Sequence, residues 1–227
     1  MQADLALTVA YDERAESLRL IAGAPVAGAQ RLTRRHRFLP VAVDVADDIA
    51  ATVFLRRAHG SAEWQFHLLT RTSQGWQLIG GGGWGFDDLD VLTHAIGAEE
   101  LGGPAQAGGA GSVAVGRVSR PPSGARWLYY ALITTTVEVR SVTVANRSID
   151  RPAHGYIVVV WKDDPQTTAA IVGEDGQVLC VVELRAAQLG RKYQLVDGDP
   201  DAVPAVAPPG AFRDYIERVS GWSGSPG

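Results

Sequence analysis

The chain has 227 residues, 46% of them hydrophobic and 20% charged, a globular composition that excludes a disordered or fibrous protein. Its net charge of -4 gives no basic footprint for phosphates, so no nucleic-acid partner is expected. One cysteine, Cys180, excludes an internal disulfide and a thiolate metal cluster.

In chain order, the start Met1-Gln2-Ala3-Asp4 lacks the basic and apolar regions of a signal peptide, and no apolar run is long enough for a membrane span. A cytoplasmic location is the expectation. Asp12 can cap a helix over Glu13 to Ile21 with Leu18 and Ile21 on one face. The basic cluster Arg31 to Arg37 follows and reads as a solvated connector, in which Arg35 and His36 are available for a contact. It runs into the apolar stretch Phe38 to Val43.

From Ile49 the pattern alternates: Ile49, Ala51, Val53 and Leu55 form one face of a half-buried strand. The turn His59-Gly60-Ser61 leads to Trp64, Phe66 and Leu68 on one face, and Ser73-Gln74-Gly75 leads to Trp76-Gln77-Leu78-Ile79. These three segments predict an antiparallel meander. The glycine run Gly80 to Gly85, with Trp84 inside it, is expected to end the sheet, and Asp87-Asp88 to cap a short helix carrying Leu89, Leu92 and Ile96.

Residues 102–111 have no periodicity and read as a Gly-rich linker, which divides an α+β domain (1–101) from a β-sandwich (112–196). In the sandwich, Val137 and Val139 stand out of phase with Val142 and Val144, which requires a bulge or break near Arg140-Ser141. Tyr156 to Trp161 is apolar throughout, as a strand buried on both faces should be. Ala169 to Val182 reads as a hairpin around Gly173-Glu174-Asp175-Gly176. The Pro/Ala-rich tail 197–227 carries Phe212, Tyr215, Ile216 and Val219 at the spacing of a short docking helix. The fold class is therefore mainly β: an antiparallel curved sheet with a short helical layer, then a β-sandwich.

The meander segments Ile49 to Arg56, Glu63 to Leu69 and Gly75 to Ile79 resemble the strands that close NTF2-like (SnoaL-like) domains. That resemblance covers the meander alone and implies a sheet curved around a cone-shaped pocket, although the stretch before it is short for the usual helical layer. The second half resembles immunoglobulin-like modules at the level of fold, without their Cys-Trp-Cys framework. Arginine in place of lysine, with abundant alanine, glycine and valine, resembles proteins of GC-rich bacterial genomes such as actinobacterial ones.

The chemistry is sparse. Gly80, Gly82 and Gly85 satisfy G-x-G-x-x-G, but the strand before them closes an antiparallel meander, where a dinucleotide site needs a βαβ unit. No cofactor is expected. His36, His59, His67, His94 and His154 lack the close spacing of metal ligands. Asp197, Asp199 and Asp201 alternate as in a calcium loop, yet Ala202 and Pro208 occupy the positions that need glycine and glutamate. The acids between Asp87 and Glu100 read as caps and solvated surface, no Gly-x-Ser-x-Gly elbow occurs, and Cys180 reads as a small buried hydrophobe.

Trp84, with no periodic reason to be buried, leads the candidate contacts. The expectation is a non-catalytic two-module protein that binds a partner protein or a ligand, and self-association is compatible with it. The alternative is a small-molecule-binding protein or enzyme with a pocket in residues 30–100 lined by Trp64, His67 and Trp76, where His67 is expected on the face opposite Trp64 and Phe66 and exposed to solvent.

Overall fold

A computed structural model describes residues 12–34, 36–58, 60–114, 127–164 and 166–185. Arg35, His59 and the tail helix expected around Phe212 to Val219 lie outside the described residues. Among the described residues no helix is long and apolar enough to cross a membrane.

The chain is mainly β. Helix α1 (Glu13–Ile21) precedes a four-stranded antiparallel sheet of β1 (Phe38–Ala46), β2 (Ile49–Arg57), β3 (Ala62–Thr72) and β4 (Gly75–Phe86), in chain order. The meander is thus as expected, with the apolar stretch after the basic cluster added as an edge strand. Asp12 caps α1 by accepting from the Ala15 N–H at 2.9 Å. The face that α1 buries carries Ser17 and Leu20, not Leu18 and Ile21.

The predicted helix after Asp87-Asp88 is instead a chain of turns, although Leu92 and Ile96 do enter the core. A single helical turn, α2 (Ala98–Leu101), follows, closed by Gly102 in the left-handed region at φ 70°. The expected linker is also different: from Ala105 onward it is strand β5 (Ala105–Ala114).

The remaining strands are β6 (Trp127–Thr135), β7 (Val139–Val144), β8 (Arg147–Asp150), β9 (Tyr156–Lys162), β10 (Gln166–Gly173) and β11 (Val178–Arg185). They form two antiparallel sheets, one ordered β5-β6-β9 and the other β11-β10-β7-β8. The predicted phase slip in β7 is a register shift: Val172 pairs with Ser141 and Gly173 with Val139, which skips Arg140.

The sheet β5-β6-β9 lies between two cores. Leu128, Tyr130 and Leu132 of β6, with Tyr156, Val158 and Val160 of β9, face the β1–β4 sheet and pack against Val53, Trp64, Phe66 and Leu68. The alternate residues Tyr129, Ala131, Ile133, Ile157, Val159 and Trp161 face the other sheet and pack against Val142, Ile171 and Leu184. Side chains alternate across a strand, so two apolar cores require a strand apolar at every position, as β9 is. Each fully buried valine, leucine or isoleucine contributes roughly 1.5–3 kcal/mol.

Polar links join β1 to the second half. The Asp44 carboxylate takes both guanidinium contacts of Arg147, at 3.0 Å (Nε to Oδ1) and 2.7 Å (to Oδ2). The same carboxylate accepts from the Val160 N–H at 2.8 Å, while Arg147 donates to the Val160 carbonyl. The ion pair thereby occupies both outward hydrogen-bonding groups of Val160 on β9, an edge strand of the middle sheet. Four residues further on, in the turn between β1 and β2, Asp48 binds Lys162 at 2.9 Å. At Val41, which the β1–β2 register skips, the carbonyl lies 3.1 Å from His154 Nε2.

Candidate functional site

Strand β4 continues through the glycine run because that run lies too close to β3 for side chains. A Cβ at Gly81 would overlap the Phe66 carbonyl, and one at Gly83 the Trp64 carbonyl. On the opposite face a Cβ at Gly82 would stand 2.8 Å from the Tyr130 hydroxyl, and one at Gly80 2.9 Å from Val113. Glycine in a strand marks close approach of backbone or ring, and here it does so at consecutive positions. Gly83→Ala is expected to cost about 2 kcal/mol by overpacking, against less than about 0.5 kcal/mol for Gly28→Ala, which meets open space; urea unfolding of the two variants measures the difference.

The space left by the glycines is filled with rings. Trp84 stacks on Phe66 at 5.0 Å and 21°, and Phe66 tilts against Tyr130 at 4.8 Å. In a parallel row Trp64 stacks on Phe86 at 5.5 Å and tilts against Tyr156 at 5.0 Å. The far edge of the Trp84 indole lies over Gly109 of β5, at φ 55°, where any Cβ would overlap the ring. The glycines and alanines of β5 thus accommodate rings from β4 and β6, which is why the stretch shows no apolar periodicity. Burial pushes the Tyr130 phenol up, and burial followed by the Asp88 and Glu100 carboxylates pushes Tyr156 up to about 12.

Trp64 is 5% exposed, whereas Trp84 keeps 39% of its surface in water. Gly81 to Gly85 are also exposed, and β4 is the edge of its sheet. Among the described residues no strand pairs with the outer side of β4. Beyond Gly109 an open groove of about 430 Å³ runs between β5 and β11, floored by Ala107, Gly108, Ala110 and Ala131 and rimmed by Glu183 and Arg185.

His67 belongs to a different locus. It faces away from Trp64 and Phe66, as expected, but it is 4% exposed beneath α1 rather than open to solvent. Its Nδ1 lies 3.0 Å from the Ser17 hydroxyl, which is 2.8 Å from the Thr52 hydroxyl, and its Nε2 is 3.8 Å from a Glu13 carboxylate oxygen. Burial lowers the His67 pKa, and Glu13 opposes that shift. Serine, histidine and glutamate meet here in the composition of a nucleophilic triad, yet the Ser17 hydroxyl is fully buried and engaged by two partners. The arrangement clasps α1 to the sheet.

The β3–β4 register places Trp76 opposite Arg71, on the His67 side of the sheet, so Trp64 does not share a site with His67 and Trp76. His36 is exposed in a tight turn, where its N–H bonds the Thr33 hydroxyl at 2.9 Å, away from both loci. Cys180 is half-buried against the second core. Among the described residues no group of three or more His, Cys, Asp or Glu side chains is placed to hold a metal ion.

Glu13, Ser17, Thr52, Asp44, Arg147 and His154 were not identifiable as partners from sequence. The nearest signal was the one-turn spacing of Glu13 and Ser17 on a single helix face. No family model, curated protein or solved structure matches the chain.

Proposed function

We propose that this protein is a non-catalytic binding module that takes an extended segment of a partner protein across β4, with Trp84 as the anchor. The observation that carries the proposal is the state of Trp84: one face is fixed on Phe66 and its far edge is held over Gly109, yet 39% of it remains exposed. A ring held in place before binding loses little conformational freedom on contact, and exposed tryptophans of this kind dominate binding energies. The bare glycine backbone beside it offers N–H and C=O groups to an added strand. A segment that covers Trp84 passes over Gly109 into the groove along β5.

We also infer an immunoglobulin-like sandwich for β5 to β11. The strand order supports it, because consecutive pairs alternate between sheets: β5 and β6 in one, β7 and β8 in the other, β9 back in the first, β10 and β11 in the second. The NTF2-like reading of β1 to β4 rests on the meander with α1 laid across one face. It is the weaker of the two, since the His67 side is filled by Ser17 and Thr52.

The test is a random-peptide display screen on the full chain. Peptides enriched on the protein are expected to bind Trp84→Ala on the order of 30-fold more weakly, corresponding to about 2 kcal/mol for a hot-spot aromatic. They are expected to be indifferent to Val137→Ser, which alters an exposed apolar side chain in the turn before β7. Equal binding to Trp84→Ala, or no enriched peptide, would remove the proposal.

A further inference from the structure

Apart from β4, most strand edges among the described residues are closed. On β1, Pro40 and the skipped Val41 interrupt pairing, and the Val41 carbonyl is engaged by His154. On β9 the outward groups of Val160 are occupied by Asp44 and Arg147. β8 is four residues long and ends in charge at Arg147 and Asp150. On β5 the register breaks between Gly108 and Gly111. Short length, charge, proline and bulges are the devices that keep sheet edges from pairing with other chains.

β11 differs. Among the described residues it is an eight-residue edge strand without proline or glycine, and its one irregularity is the shift at Leu179 near its start. Of the six exposed large hydrophobic side chains among the described residues, three are in this strand: Val178 at 58%, Leu179 at 42% and Val181 at 59%. Val181 stands opposite Ala170, and Val178 opposite Val172, so the apolar strip continues onto β10. One end is acidic, and the other carries Arg185 as its outermost charge. The turn before the strand presents Glu174 and Asp175, both exposed, and the last residue is the exposed Arg185, which pairs with Glu183 at 2.6 Å.

We propose that β11 is a self-association surface, on which a second copy of this chain docks antiparallel with Val181 near the two-fold axis. An isologous contact must be complementary to itself, and an antiparallel strand pair meets that condition when its two ends carry opposite charge. Reversal about Val181 brings Arg185 of each copy toward Glu174 and Asp175 of the other and lays valine on valine. A parallel arrangement would set like charge beside like charge, which selects the antiparallel one.

Sedimentation of the full chain across a concentration series tests this. A monomer–dimer equilibrium is expected, weakened at least about tenfold by Val181→Lys, which charges the strip without touching either core. The variants Glu174→Lys/Asp175→Lys and Arg185→Glu are each expected to be monomeric alone and to associate when mixed, because mixing restores opposite charges at both ends. Trp84→Ala is expected to leave the association unchanged, which separates this inference from the partner-binding proposal. A chain that stays monomeric throughout, a dimer indifferent to Val181→Lys, or a mixture that does not associate would overturn it. Strong protection of β11 amides from hydrogen exchange in the dilute monomer would overturn it too, by showing that the same chain covers the strand.

Discussion

Asp44→Ala is expected to lower folding stability by about 3–5 kcal/mol, the usual cost of removing one partner of a buried ion pair. Arg147 is then left as an uncompensated charge, and the Val160 N–H loses the carboxylate that it donates to. Asp44 is 4% exposed, and Arg147 keeps only about a fifth of its side chain in water, so solvent compensates the loss poorly. Arg147→Met is expected to be comparably harmful, because it leaves the carboxylate unpaired. The pair Asp44→Ala/Arg147→Met removes both charges and is expected to lose less than the sum of the single changes, retaining the cost of the bare Val160 groups. Urea unfolding of the four proteins gives the coupling energy, and strict additivity would show that the contact carries no cooperative weight.

Mild acid is expected to weaken the protein through His154. The Tyr156 N–H donates to Nδ1 at 3.1 Å, so Nδ1 is unprotonated and Nε2 carries the proton that goes to the Val41 carbonyl. Protonation of Nδ1 would break the Tyr156 bond and bury a charge. Burial is the largest cause of a pKa lowered from 6.5 to about 4; the Val41 carbonyl opposes the shift and the Arg151 guanidinium adds to it. With the folded value below the unfolded one, the unfolded chain binds more protons between pH 6.5 and pH 4, so stability is complete above that window and falls as pH drops through it. The loss across the window is about 3 kcal/mol. His67, also lowered by burial, adds in the same direction. A His154→Gln variant, less stable at neutral pH, is expected to show a flatter profile in chemical denaturation at stepped pH; an unchanged slope would assign the acid sensitivity elsewhere.

What was readable in the chain was its alternation. β2 places Ile49, Val53 and Leu55 and β3 places Trp64, Phe66 and Leu68 on one face at a period of two, and β9 carries large side chains at every position, so all three announce their burial. The continuation of β4 from Gly80 to Phe86 and most of β5 were hidden because glycine and alanine leave no side-chain signal, although the backbone runs extended through them. On β4 the cause is the close approach of the β3 backbone and of Tyr130 and Val113, and on β5 it is the Trp84 and Tyr130 rings. On α1 the apolar pattern pointed to Leu18 and Ile21, whereas the sheet offers Thr52 and His67 beneath the helix, and Ser17 satisfies them. Trp84 was singled out because it interrupts a glycine run. The sequence does show a tryptophan without periodic neighbours, and the structure adds that the ring is stacked on Phe66.

The middle sheet also bears on how the chain reaches its native state. The first core combines residues from both halves, and the bonds that tie β1 to β8 and β9 join positions 103 to 116 apart in sequence. Loop closure over such separations must be completed before those contacts return any free energy, a topology associated with slow folding. Until β6 and β9 are in place, the apolar side of β2 and β3 has no cover, and that interval is when the newly made chain is most open to association with others.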